Sequence, residues 1–276
     1  MNQYENFSIA SYSFHGLLGR GAINLFGYLE TVKYRYGLSN ADIWNGYIKD
    51  YGDEFTDLLK QNLDERGLTV VNFCCDDTHL WDNDAEVRIK NEKLAWKCLA
   101  MAEKIGAKTI RFDVGVREDE ISAEQFDYVA KKYREYCKRA ASFGAKLGTE
   151  NHWGWSRTIP HLNRLFDAVD EKNFGLLMHL GNWTEGDKDE NDRIMAPRAM
   201  HVHIDYEHCM DADRILPPLK AAGYTGCWNI ESHKGTNEYN NVAFQLAQVK
   251  RVVCPMGYKK EAEQNNISTQ SHIVPA

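Results

Sequence analysis

The residues best equipped for chemistry in this 276-residue chain begin at Gly148-Thr149-Glu150-Asn151-His152-Trp153-Gly154, where a carboxylate, an amide, an imidazole and an indole occupy consecutive positions. Side chains alternate along a strand, so Glu150 and His152 would share one face and Asn151 and Trp153 the other. The apolar approach through Ala145 and Leu147 argues that this is a strand running out into a polar mouth. Three later segments end the same way. Leu176–Asn182 offers His179; Met200–Tyr206 offers His201, His203 and Asp205 in one parity; Thr225–His233 offers Asn229, Glu231 and His233. His15, His79, Arg111 and Asp113 lie at earlier strand ends. Carboxylates and imidazoles converging from neighbouring strands repel or demand partners unless a cation sits between them. A divalent metal resolves that conflict, and Glu and His are ordinary ligands for Mn, Fe, Co, Ni or Zn.

The elements that must position these residues follow a strict rhythm. Apolar or alternating runs predict strands over 7–14, 41–44, 68–75, 109–114, 145–153, 174–180, 200–206 and 225–231. Helical spacing fills 22–36, 53–66, 85–105, 122–143, 158–170, 211–222 and 237–253, while 187–198 reads as a polar, weakly helical link. Ser122 is placed to cap its helix, Gly144 to stop it, and Pro160 falls in the first turn of the next. Eight strands alternating with helical segments predict a single (β/α)8 TIM barrel over residues 1–255, with residues 256–276 a polar tail or an arm lying on a partner subunit. Chemistry in such a barrel belongs at the C-terminal ends of the strands, which is where the polar set falls. Neither GxGxxG nor GxxxxGK[ST] opens any helix, so a nucleotide fold is disfavoured.

Composition narrows the partners. Hydrophobic residues make up 43% and charged residues 26%, as expected of a soluble domain, and the formal net charge of −7 argues against nucleic acid. No long apolar run suggests a membrane segment, the N-terminus lacks the regions of a signal peptide, and the seven cysteines are scattered without a CxxC. These features predict a cytoplasmic protein without disulfides.

The strings Thr149-Glu150-Asn151-His152-Trp153-Gly154, His179-Leu180-Gly181-Asn182-Trp183, His201-Val202-His203-Ile204-Asp205-Tyr206 and Cys227-Trp228-Asn229-Ile230-Glu231-Ser232, in this order, resemble the xylose-isomerase-like TIM-barrel superfamily. Its relatives include ketose 3-epimerases, inosose dehydratases, C-glycoside-cleaving enzymes and, more distantly, endonuclease IV. The resemblance spans about residues 7–253 and is strongest from 145 to 233. It implies one divalent metal ion, Mn first and Co, Fe, Zn or Mg otherwise, held by Glu150, His179, His203 and Glu231. One position departs from the pattern: His179 stands where the superfamily has an Asp. Two imidazoles with two carboxylates leave a divalent ion less neutralised and shift preference from Mg toward Mn, Co, Fe or Zn. The alternative is that His179 marks a weakened metal site.

The activity implied is a metal-dependent sugar isomerase or epimerase in which Glu150 and Glu231 take and return a proton beside a carbonyl through a metal-held enediolate. His152, on the Glu150 face, is a further catalytic candidate and points to the alternative, a lyase of the same fold that dehydrates a sugar or cleaves a keto-glycoside by elimination. A third reading is a non-catalytic barrel that binds sugar or a partner subunit. Asn182, Trp153, Arg111, Asp113, His15 and Lys234 are candidate substrate contacts, with Trp153, Trp155 and Trp183 offering an apolar wall. The expected partner is a small sugar or keto-glycoside, and the tail leaves room for a homo-oligomer or accessory subunit.

Overall fold

A computed structural model of the protein describes residues 6–254. The tail expected at 256–276 lies outside the described residues. Eight parallel strands form one sheet: β1 (Phe7–Ile9), β2 (Asn40–Trp44), β3 (Thr69–Cys75), β4 (Thr109–Phe112), β5 (Lys146–Glu150), β6 (Phe174–His179), β7 (Ala199–Ile204) and β8 (Trp228–Ile230). Its order, β1-β8-β7-β6-β5-β4-β3-β2, bends into a nearly closed barrel. β1 pairs β8 in register from Phe7↔Trp228 to Ile9↔Ile230, and the β1–β2 seam is bridged by Ala10↔Asp42. The Tyr28 hydroxyl, 2.6 Å from Ile9 O and 2.9 Å from Asp42 O, reinforces that seam.

The outer helices owe their ends to local chemistry. Ala123–Ala141 starts in a capping box formed by Ser122 and Gln125, and Ala85–Ile105 starts at Asp84 and stops at Gly106, whose φ of 71° suits glycine. The long helices turn Leu, Val, Ala or aromatic residues onto the sheet, and the buried core lies between the strands and this ring. No helix among the described residues is long and apolar enough to cross a membrane.

Inside the barrel the lower layer is polar, where barrels of this class usually pack branched aliphatics. Asn229 Nδ2 donates to Ser8 Oγ at 2.8 Å, Thr109 Oγ1 to Asn72 Oδ1 at 2.8 Å, and Asn72 Nδ2 to Asp42 Oδ1 at 3.0 Å. Such a network is stable only when its members satisfy one another. On β5 the interior closes so tightly that a Cβ on Gly148 would lie 1.6 Å from Gly175 O.

Several strands are shorter than the sequence reading, among them β4, β7 and β8, and three differences have a visible cause. The strand expected over 7–14 stops at Ile9, and Ser11–Phe14 coil into a 3-10 turn. Their hydroxyls replace strand partners: Ser11 Oγ accepts from Trp44 N at 2.8 Å, while Ser13 Oγ donates to Ile230 O and accepts from Ser232 N. The strand expected to reach Trp153 stops at Glu150 because Asn151 pairs with β6 through its side chain, accepting from His179 N at 2.8 Å and donating to His179 O at 2.9 Å. The link at 187–198 contains a true helix, Lys188–Met195, whose Asp187 cap accepts from Glu190 N.

Candidate functional site

Parity along the strands brings the chemistry together. Glu150 at the end of β5, His179 at the end of β6, His203 on β7 and Glu231 just after β8 all point into the barrel mouth and are buried. His179 Nδ1 lies 3.4 Å from Glu150 Oε1 and 3.5 Å from Glu231 Oε2; His203 Nδ1 lies 3.0 Å from Glu231 Oε2 and 3.9 Å from Glu150 Oε1. The His203 Nδ1 contact is short but misaligned, leaving that buried nitrogen without a hydrogen bond. The far nitrogens face carboxylates. His203 Nε2 is 3.3 Å from Asp42 Oδ2 and His179 Nε2 is 3.9 Å from Asp205 Oδ2. An imidazole presenting one nitrogen to a shared centre and the other to a carboxylate is the arrangement that orients metal-ligating histidines.

Electrostatics point the same way. Burial alone would raise the Glu150 carboxyl, but His152 and Arg111 outweigh it and hold it down at about 2. Burial likewise opposes ionisation of Glu231, and His203 and His233 overcome it, keeping it well below the usual carboxylate range. Desolvation pushes His179 down, yet Asp205, Glu150 and Glu231 carry it up to about 10; His203 is raised by Glu231 and Asp42. The two imidazoles therefore supply as protons the positive charge that a divalent cation would supply instead. Ligand atoms of Glu150, His179 and His203 lie within 4.8 Å of one another, as do those of His179, Glu231 and His233. The donor set fits a divalent ion.

Around this centre is a cavity of about 280 Å³ lined by Tyr12, Trp44, Asp76, Arg111, His152, Trp153 and His233 together with the four converging residues. Arg111 lies behind Glu150, its Nε 3.0 Å from Glu150 Oε2 and its Nη1 2.8 Å from Asp113 Oδ2. Asp113 also meets His152 Nδ1 at 3.1 Å, which leaves Nε2 as the His152 nitrogen available to the cavity. Trp153 stacks on His152 with ring centroids 3.9 Å apart, and the Arg117 guanidinium lies over the indole at 4.2 Å. Trp155 and Trp183 are buried in the core, outside the cavity lining.

The remaining candidates sit further out. Asn182 donates to the carbonyls of Asn151 and His152 and so fixes the loop that carries His152. His15 stacks on Tyr12 with centroids 4.6 Å apart, and Lys234 Nζ lies 3.7 Å over the Tyr206 ring. His201 turns Nε2 to Asp42 Oδ2 at 2.8 Å, beneath the centre. Asp205, expected on strand seven, instead caps the short helix Tyr206–Met210. Sequence reasoning missed Tyr12, Trp44, Asp76 and Asp42. Tyr12 and Asp76 are lone residues just past β1 and β3, and Asp42 and Trp44 share a face of β2 in a strand too short for the alternation to stand out.

A parallel eight-stranded barrel with acidic and imidazole groups at the C-terminal ends of β5 to β8 defines a class in which loops and strand ends carry the site. Residues 34–247 match the xylose isomerase-like TIM barrel family, and the chain belongs to it. No curated protein matches the chain by sequence. Among solved structures it is similar to D-psicose 3-epimerase with D-tagatose from Clostridium cellulolyticum H10, at 15% identity and TM-score 0.71 over 90% of this chain and 99% of that one. The probable 3-DHS dehydratase AsbF of Bacillus anthracis aligns at 16% identity and TM-score 0.65, covering 89% and 98%. IOLI protein with a binding zinc atom aligns at 15% identity and TM-score 0.70, covering 90% and 98%. At these identities the likeness is one of fold.

Proposed function

We propose that the protein is a divalent-metal-dependent sugar isomerase or epimerase acting by proton transfer beside a carbonyl. The observation that carries this reading is the approach of two buried carboxylates, Glu150 and Glu231, to the same His179 nitrogen at 3.4 and 3.5 Å. Glu150, His179, His203 and Glu231 would hold the ion, and their mixture of imidazole and carboxylate favours Mn, Co, Fe or Zn over Mg. When bound, the ion supplies Lewis-acid polarisation of the substrate's carbonyl and neighbouring hydroxyl. The zinc in IOLI protein and the sugar bound to the psicose epimerase support the reading by analogy of fold.

The chain's own residues supply the rest. One of the two carboxylates takes the proton from the carbon beside the carbonyl, and the other returns it, to the same carbon in an epimerase or to its neighbour in an isomerase. Arg111 keeps Glu150 ionised in a buried setting, and Asp42 holds the His203 ring. A second reading, elimination, is supported by the Asp113–His152 pair at the cavity wall, since His152 Nε2 would be placed to protonate a leaving group. The test is incubation with ketohexoses in deuterium oxide, after loading with Mn, Co, Fe or Zn in turn. Deuterium appearing on the recovered sugar is the expected result, and release of water or an aglycone selects elimination. Sugar binding without exchange under every metal would sink both.

A further inference from the structure

The half of the cavity opposite the metal-binding candidates is built by β1 to β3, and its central group is Asp76, which follows β3 directly. Asp76 is held from several directions. Its Oδ2 accepts from Trp44 Nε1 at 2.6 Å, and its Oδ1 accepts from Arg111 Nη1 at 2.7 Å. Its backbone exchanges two bonds with the Asn45 amide, at 2.8 and 2.9 Å. The side chain nevertheless keeps 31% of its surface exposed and lines the cavity. A carboxylate has about four acceptor positions, so two fixed donors leave capacity for a ligand.

What can use that capacity follows from charge. Hydroxyl groups donate to a carboxylate strongly, whereas a phosphate or carboxylate on the part of the ligand that meets Asp76 is repelled. Arg111 is the one guanidinium among the lining residues, and Asp76, Asp113 and Glu150 already surround it at 2.7, 2.8 and 3.0 Å. It is therefore a brace for carboxylates and offers little to an anionic ligand. Beside Asp76, Tyr12 and Trp44 meet edge to face at 5.1 Å and give an apolar corner for the C–H face of a ring. The volume of about 280 Å³ sits at the lower edge of the roughly 300–1,000 Å³ usual for ligand sites, the scale of one sugar ring.

We propose that Asp76, braced by Trp44 and Arg111, is a specificity-determining residue that selects an uncharged, monosaccharide-sized sugar and rejects its phosphorylated and carboxylated analogues. This rests on the sugar-enzyme reading above. Asp76 acts on the choice of substrate and stands apart from the proton-transferring pair.

The experiment is titration of tryptophan fluorescence, since Trp44 and Trp153 line the cavity. The probes are D-fructose and D-tagatose against their 6-phosphates, and D-glucose against D-glucuronate. In the unmodified protein at least one neutral sugar should bind about tenfold or more tightly than its anionic partner. Asp76→Asn should weaken the neutral sugar and strengthen the phosphate, collapsing that ratio. A gain in phosphate affinity cannot come from misfolding. Trp44→Phe, which removes one donor to Asp76 and keeps an aromatic ring, should weaken neutral binding while preserving the preference. Equal or tighter binding of the anions, no binding of any neutral probe, or an unchanged ratio in Asp76→Asn overturns the proposal. Deuterium exchange on the same samples separates the two readings. Exchange with an unaltered ratio in Asp76→Asn defeats only the role of Asp76, and selective neutral binding without exchange defeats only the enzymatic reading.

Discussion

The two carboxylates at the centre share the His179 and His203 rings but differ in their other partners. Glu150, on the β4–β5 side, is clamped by the Arg111 guanidinium at 3.0 Å, a group that stays charged at any working pH, and is almost completely buried. Glu231, on the β7–β8 side, leans on His203 and His233, each at 3.0 Å, and the His233 side chain is 51% exposed. The first side adds a permanent guanidinium to its imidazoles, and the second, among the described residues, is held by imidazoles alone. On the reading proposed above, Glu150 would be the more firmly held anion, and Glu231 the carboxylate with a solvent-facing partner in His233.

Substitutions can break this contrast or sharpen it. The largest effect is expected from Glu231→Gln, which should reduce solvent-deuterium exchange by roughly 10²–10⁴-fold because a positioned acid–base group is lost. Glu150→Gln should match it in rate and also leave Arg111 under-compensated, so only this variant should melt measurably lower. Equal melting temperatures for the two variants would erase the distinction between the sides.

Arg111→Ala removes the partner of three carboxylates and should cost about 3–5 kcal/mol in urea unfolding, the usual result of stranding buried charge. A cost below about 1 kcal/mol would mean that water or another group already compensates Glu150.

Asp42→Asn should leave the fold intact and lower metal affinity by roughly 10–100-fold in competition with a chelator, because it orients His203 from behind. The smallest change is expected of His233→Ala, within about 0.5 kcal/mol in stability since that ring is half in solvent. A large loss there would move the burden of holding Glu231 from His203 to His233.

The rhythm of the barrel was legible because parallel strands covered on both faces read as apolar runs, and helices such as Ala123–Ala141 announce their caps. The late-strand residues were legible for a different reason. His201, His203, Glu150 and Glu231 break an apolar run at interior positions, where a polar group needs a purpose. Hidden from sequence were the places where side chains take over backbone pairing. Asn151 stands in for a strand residue, and Ser11 and Ser13 do the same for β1, so both strands end early. Asp42 and Asp76 were hidden because their partners lie 159 and 35 residues away in the chain, in His201 and Arg111. The helix at Lys188–Met195 did carry a signal, Asp187 followed three residues later by Glu190, which polarity masked.

The pairing of β1 with β8 bears on how the protein is made. Phe7 emerges first from a ribosome and Trp228, its partner, more than two hundred residues later. Until then β1 is held from the β2 side alone, by the bridge at Ala10 and Asp42 and the bonds of Tyr28 and Asn40, and its other edge is unpaired, of the kind that recruits other chains. Since Glu231 follows β8 directly, the pairing of β8 with β1 also brings the last of the four converging residues to the mouth of the barrel. A chain stopped short of β8 would lack Glu231 and keep the far edge of β1 unpaired, a natural client for chaperones.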